Sequence, residues 1–472
     1  MVNAIAVLRD VLDHVDANVS ASIDRLFNLL RIPGISTDPD YRGSCTAAAD
    51  WLASELANIG LDASVRPTAG HPMVVGHDRA RDGSPHVLFY GHYDVQPVDP
   101  VEQWKTPPFD PVITERSDGS KFITARGAAD DKGQLMTFIE ACRAWKAVAG
   151  YLPIRVSLLF EGEEEAGSAS LTPFLEENAE ELGADIALVC DTGMWSRKRP
   201  AIFMALRGLV GQEIVLTAAN RDLHSGIFGS AARNPIHILV GILAGLHDTS
   251  GRVTLPGFYD GVNEVPAEIK AQWAGLGFDG EEFLRKIGLS IPAGEVDRSV
   301  FEQIRSRPTF EVNGITGGYG GPGFKAVIPS KASAKVSFRL VGDQDPQKVV
   351  ATFQDFVLAH LPADCTVEFI PHGASRALRV QHDHPCLARA RKALADEWSI
   401  DPALVNGGGS IPVVGEFKRI LGLELLMVGF GLLDDAIHSP NEKYELTSFH
   451  RGIRSWVRIL AELAEETLTA RP

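Results

Sequence analysis

Five short stretches of this sequence place imidazole and carboxylate groups where apolar segments end. Gly91-His92-Tyr93-Asp94 follows the apolar run 86–90, and the period-2 geometry of a strand sends His92 and Asp94 to the same side. A histidine and an aspartate so placed suit a metal-ligating imidazole whose other ring nitrogen is oriented by a carboxylate. Arg126-Gly-Ala-Ala-Asp130-Asp131-Lys132-Gly133 sets two adjacent acids just before a helical pattern, where taken alone they read as helix-capping charges. Glu161-Gly-Glu163-Glu164-Glu165-Ala-Gly167 is harder to explain that way. Its three consecutive carboxylates repel one another and are costly to bury unless a cation compensates them. Cys190-Asp191-Thr192 ends the apolar run 186–189 with another acid, and His438-Ser-Pro-Asn441-Glu442 supplies a late histidine in a turn-forming context.

Imidazole and carboxylate without thiolate suit zinc, cobalt or manganese. His, Asp, Glu, Asp and His are enough ligands for two ions if one carboxylate bridges them. Two metals about 3.5–4 Å apart activate water at neutral pH and polarise a carbonyl oxygen, which is what amide hydrolysis requires. Other chemistries leave little trace. The chain has no G-x-S-x-G, no H-E-x-x-H and no G-K-[ST] to complete a phosphate loop. Gly318-Tyr-Gly320-Gly-Pro-Gly323 matches G-x-G-x-x-G, but Pro322 and the β-like run after Ile328 leave no helix to receive a pyrophosphate, so a glycine-rich loop is expected there.

These groups need a scaffold. Over 472 residues, 45% hydrophobic and 22% charged, the composition is that of a globular protein long enough for two or three domains. A net charge of −16 repels phosphate backbones and anionic lipid, so neither nucleic acid nor a membrane surface is expected as a partner. The longest apolar runs fall short of a membrane span, and the N-terminal stretch carries acids within its apolar pattern, unlike a signal peptide; a cytoplasmic protein is expected. Cys45, Cys142, Cys190, Cys365 and Cys386 are scattered and contain no C-x-x-C pair, which predicts reduced core thiols.

Helical spacing over residues 1–60, then strands at 86–90 and 154–160 flanking a helix at 133–147, argue for an α/β layer with its chemistry at the strand ends. From Arg207 the order changes: strand 210–217, helix 235–247, strand near 309–312, strand 332–340, helix 346–361, strand 366–370. This β-α-β-β-α-β order is that of a ferredoxin-like domain, interrupted by an insertion at 248–306. After Pro385 the pattern returns to the first domain. The expected division is therefore a discontinuous catalytic domain, 1–206 with 385–472, and an inserted lid, 207–384.

Taken together, GHYDVQP, ARGAADDKG, EGEEEAGS, CDTGMW, DLHSG and HSPNE, in this order and at these separations, resemble the M20 metallopeptidase family in its carnosinase-like dipeptidase branch, over nearly the whole chain. The resemblance implies an α/β fold: a di-zinc catalytic domain with a central sheet flanked by helices, plus a smaller α+β lid that dimerises. It implies two divalent ions per chain, zinc foremost with cobalt or manganese as alternatives, His92 and Asp191 on one, Glu165 and His438 on the other, and Asp130 bridging. The bond Asp130-Asp131 would be cis. Glu164 matches the general base, and Asp94 the acid that orients His92. His224 of DLHSG matches a histidine that reaches the partner subunit's site, while Arg339 and Ser410 match positions that hold the substrate's carboxylate. Ala326 departs from the pattern, because the branch has a polar residue there that reaches across the dimer. The long lid and DLHSG in place of R-x-A-H favour a dipeptidase acting on small peptides over an N-acyl-amino-acid deacylase. Glu164 beside Glu165 argues against an inactive metal-binding protein.

Overall fold

The computed structural model describes residues 4–78, 85–381, 383–409 and 412–465. It divides into two compact units. One comprises Met1–Met204, Val380–Leu404 and Glu416–Pro472, and the other Ala205–Arg379 with Val405–Gly415. The sequence division leaves residues 405–415 with the first unit, whereas they cluster with the second. Hydrogen bonds explain the difference: Gly407 N–H donates to Ala205 O, Arg207 N–H to Gly409 O, and the Arg305 guanidinium to Asn406 O.

In the first unit the sheet runs Asp62–Arg66, Met73–Asp78, Arg155–Glu161, His86–His92, Ile186–Val189, Glu424–Met427, Ala201–Leu206. The four strands from Arg155–Glu161 to Glu424–Met427 are parallel and the flanking pairs antiparallel. The parallel strands read as nearly continuous apolar runs because both their faces are covered. The Lys132–Ala149 helix packs on the sheet through Phe138, whose ring stacks on Phe89 with centroids 3.8 Å apart, and Trp456 of the Leu446–Ala464 helix meets both rings edge-on. Helices Ala4–Leu30 and Pro385–Trp398 complete that layer, and Arg42–Asn58 packs against the two outer strands.

The in-register pairing of His92 with Glu161, and of Tyr90 with Val189, brings three strand ends level. The acidic and imidazole motifs begin there, as expected of open α/β sheets.

The second unit is a four-stranded antiparallel sheet in the order Thr309–Gly317, Lys331–Leu340, Gly208–Thr217, Thr366–Ser375. Helices Pro235–Ala244 and Pro346–Ala359 cover one face, over a core that includes Val210, Ile214, Leu239, Phe310, Phe338 and Phe353. This is the ferredoxin-like arrangement. The insertion carries three short helices, Ala267–Ala274, Gly280–Lys286 and Val300–Arg305. Residues 318–323 form a loop with Gly318 and Gly323 at positive φ, as the glycine pattern predicts. All five cysteines are free and buried. Among the described residues no helix is long and apolar enough to cross a membrane.

Candidate metal centre

His92 is fully buried at the end of its strand. Its Nδ1 lies 3.3 Å from Asp94 Oδ1 and 3.2 Å from Asp94 O, and its Nε2 lies 3.0 Å from Asp130 Oδ1. A proton held on Nδ1 by Asp94 leaves the Nε2 lone pair facing the cluster. The other oxygen of Asp130, Oδ2, lies 3.0 Å from His438 Nε2, which is also 3.2 Å from Glu165 Oε2. Two groups of donor atoms result, each within 4.8 Å: His92, Asp130 and Asp191, and Asp130, Glu165 and His438. Asp130 belongs to both, and Glu164 to neither. The Asp130-Asp131 peptide bond is cis.

The electrostatics of the donor set fit divalent cations. Burial, then the neighbouring Asp130, pushes Asp191 up to about 7. Burial likewise pushes Glu164 up to about 8, with Asp191 and Glu165 adding to the effect. Bonds to Asp130 and Glu165 raise His438 to about 10. The acids gathered here, Asp130, Glu164, Glu165 and Asp191, are the negative charge that bound divalent cations would offset.

The acidic run divides its labour in a way its sequence does not reveal. The expectation that Glu163, Glu164 and Glu165 all need a cation is corrected for Glu163. Its carboxylate turns away and accepts from the backbone N–H groups of His71 (2.9 Å) and Ser170 (3.0 Å). Glu161 is buried against the hydroxyls of Tyr90 and Ser168. Asp94 also supports the acidic run, because its carboxylate accepts from the backbone N–H of Glu164 (3.3 Å) and of Glu165 (3.0 Å), holding the turn that presents both. Gln96 Nε2 donates to Glu165 Oε2 at 2.7 Å.

Glu442, which the sequence shows only as part of a turn, braces the opposite side. Fully buried, it accepts from Arg126 Nη1 (2.8 Å) and the N–H groups of Gly127 (2.9 Å), Ala129 (2.9 Å) and Asp130 (3.1 Å). Asp131 accepts from His92 N–H at 3.1 Å. Lys132, also fully buried, donates to Leu29 O and Ile32 O at the end of the long N-terminal helix, and burial lowers it to about 8. Backbone partners of this kind leave no mark in a one-dimensional pattern.

Of the remaining expected residues, His224 is exposed in the second unit, its Nδ1 accepting from Gly226 N–H, and its strand residue pairs with Val327. Ala326 O accepts from Ser225 N–H beside it. Arg339 is half-buried on the Lys331–Leu340 strand, opposite Leu209 and Thr309. Ser410 lies outside the described residues.

An α/β sheet whose parallel strand ends bring acids and the buried His92 together with the exposed His438 around one shared carboxylate fits a metal-dependent hydrolase. The chain belongs to peptidase family M20/M25/M40, whose family model matches residues 88–462, and it is a metallopeptidase. It is 30% identical over 465 residues to the Cys-Gly metallodipeptidase dug1 of Schizosaccharomyces pombe, covering 95% of this chain and 97% of that one. It is 27% identical over 486 residues to the human Beta-Ala-His dipeptidase, covering 98% and 93%. Among solved structures, the M20 family metallo-carboxypeptidase Sso-CP2 of Sulfolobus solfataricus superposes with a TM-score of 0.82 at 30% identity, covering 94% of this chain and 99% of that one.

Proposed function

We propose that this chain hydrolyses the amide bond of dipeptides and closely related small peptides, using two divalent ions with zinc foremost. The observation that carries the reading is Asp130, whose two oxygens face two different imidazoles, so that one carboxylate serves both donor groups. In this reading His92 and Asp191 hold one ion, Glu165 and His438 the other, and Asp130 bridges. Such a pair, when bound, polarises the scissile carbonyl and acidifies water.

The chain's own residues do the rest. Glu164, placed beside the ligands and outside both donor groups, takes the proton of the attacking water and delivers it to the leaving amine. Asp94 keeps His92 in the tautomer that presents Nε2. Arg339 and Ser410 hold the substrate carboxylate, and His224 acts in the site of a second copy, stabilising the developing oxyanion. That assignment makes the working enzyme a homodimer in which each site is completed in trans.

The test is chelation followed by reconstitution with zinc, cobalt or manganese, reading product release from dipeptides, N-acyl amino acids and longer peptides. Dipeptide cleavage lost on chelation and restored by metal is expected. Full activity in a verified metal-free sample refutes the metal reading, and preferential release from N-acyl amino acids favours a deacylase.

A further inference from the structure

The turn from Glu161 to Ser168 presents both Glu164 and Glu165, and its two ends are tied together by side chains that the proposed chemistry leaves unused. Glu161 ends its strand opposite His92 and is fully buried. Both of its side-chain hydrogen bonds go to one oxygen: Oε1 accepts from the Tyr90 hydroxyl and, at 3.0 Å, from the Ser168 hydroxyl. Oε2 is buried with no hydrogen-bond partner among the described residues. A buried carboxylate with one oxygen unpaired is costly, so packing alone does not explain a glutamate at this position. The Tyr90 end is firmly seated, because that side chain is fully buried and its ring meets Phe417 edge-on with centroids 5.1 Å apart.

The Ser168 end is the informative one. Glu164–Ala166 is a single helical turn, closed by Ala166 N–H to Glu163 O (3.0 Å), Gly167 N–H to Glu164 O (3.0 Å) and Ser168 N–H to Glu163 O (2.7 Å). Gly167 and Ser168 both leave it in the left-handed region, at φ 93° and 53°. Glycine takes that conformation freely, whereas the Cβ of serine makes it unfavourable. What serine supplies there and glycine cannot is the hydroxyl, which reaches back seven positions to Glu161. Asp94 holds the entry of the same turn through the N–H groups of Glu164 and Glu165, and the Glu161–Ser168 bond holds its exit. A general base must stay within hydrogen-bond reach of the proton it takes, so a turn free to rock at its exit would slow the reaction long before it unfolded.

We infer that Glu161 is a positioning residue for the reaction: anchored on Tyr90, it clamps Ser168 and so fixes the turn that carries Glu164 in the geometry proton transfer needs. The inference rests on the reading of Glu164 as the general base. It asks of Glu161 an acceptor oxygen at Oε1 and no charge.

The deciding variant is Ser168→Gly, which removes the hydroxyl while easing the left-handed backbone. In the metal-loaded protein kcat for a dipeptide such as Ala-Ala should fall by about 10–100-fold with KM unchanged, while metal content and the Tm of the metal-free protein stay close to the wild-type values. A purely structural bond would instead lower Tm, metal content and kcat together. Glu161→Gln, which keeps the acceptor, should retain most of the wild-type kcat, and in a Glu161→Ala background the further change Ser168→Gly should cost nothing more. If Glu161→Ala does not fold, Ser168→Gly and Glu161→Gln decide. Wild-type kcat in Ser168→Gly, a loss that only follows Tm or metal content, or a Glu161→Gln variant as slow as Ser168→Gly overturns the clamp. Failure of the reading beneath it shows separately: near-native kcat in Glu164→Ala, or a metal-loaded wild type that cleaves neither dipeptides nor N-acyl amino acids, leaves no base to position and removes both.

Discussion

Removing Glu442 tests whether the metal centre is built by its supports as much as by its ligands. In Glu442→Ala, the N–H groups of Gly127, Ala129 and Asp130 lose their acceptor, and the Arg126 guanidinium, 1% exposed, loses its counter-charge. Arg126 keeps a bond to Pro97 O and the face of Trp104, neither of which neutralises it. Breaking a buried ion pair by removing one partner costs about 3–5 kcal/mol. That is a large share of a total stability of roughly 5–15 kcal/mol. At about 2–4 °C per kcal/mol for a unit of this size, Tm of the metal-free protein should fall by about 6–20 °C. Because the released N–H groups include that of Asp130, zinc affinity should also fall, by about 10–100-fold as for other supporting partners of metal ligands. Glu442→Gln keeps the shape but turns an amide NH2 toward N–H donors, so it should lie between. Scanning calorimetry of the apo protein and competition with a chromophoric zinc chelator measure the two effects separately. The double variant Arg126→Ala/Glu442→Ala should cost less than the sum of the singles, because it leaves no unpaired charge. Native Tm and native zinc affinity in Glu442→Ala would refute the reasoning.

Three further outcomes are expected. Glu164→Ala should still bind two ions by metal analysis while turnover falls by about 10²–10⁴, and Asp130→Ala should lose metal as well; near-native kcat in Glu164→Ala would place the base elsewhere. His224→Ala and His438→Ala should each be inactive, yet random mixing through exchanging dimers should restore about a quarter of wild-type activity; no recovery after demonstrated exchange would mean that His224 does not act in trans. Glu445 is buried and desolvated, but Arg116, Lys443 and Arg197 outweigh this and hold it down at about 2. Its contribution is therefore complete above the ordinary glutamate range near 4.5 and is lost as pH falls from there toward 2. Glu445→Gln should cost about 1.5–3 kcal/mol at pH 7 in denaturant titrations, with the gap to wild type closing below pH 4; a pH-independent gap would be contrary.

The ligand candidates were legible because they stand where hydrophobic runs stop. His92 and Asp191 fall at or just after strand ends that the structure sets level, Glu165 follows the end of the Arg155–Glu161 strand, and few bland roles explain three acids in a row. What stayed hidden are groups whose partners are backbone atoms. Nothing in a run of glutamates distinguishes Glu163, turned toward His71 and Ser170, from Glu164, which lies beside the cluster. Glu442 looked like part of a turn because its four donors come from a loop more than 300 positions away. The reassignment of residues 405–415 has the same origin, since carbonyl oxygens at 406, 408 and 409 do the binding and any residue type supplies those. The second unit was readable from its alternating strands and helix spacing.

Asp94 touches the His92 ring with one edge and the N–H groups of Glu164 and Glu165 with its oxygens. In the proposed assignment one carboxylate is thus a joint shared by a ligand of the first ion, a ligand of the second, and the residue that would move the proton. The two metal positions are therefore not independent adjustable parts. A substitution at Asp94 would shift affinity at both positions and turnover together, and its effects would not add to those of changes at His92 or Glu165. Retuning one position for a different metal would have to proceed through Asp191 or His438, which belong to one donor group each and which Asp94 does not hold.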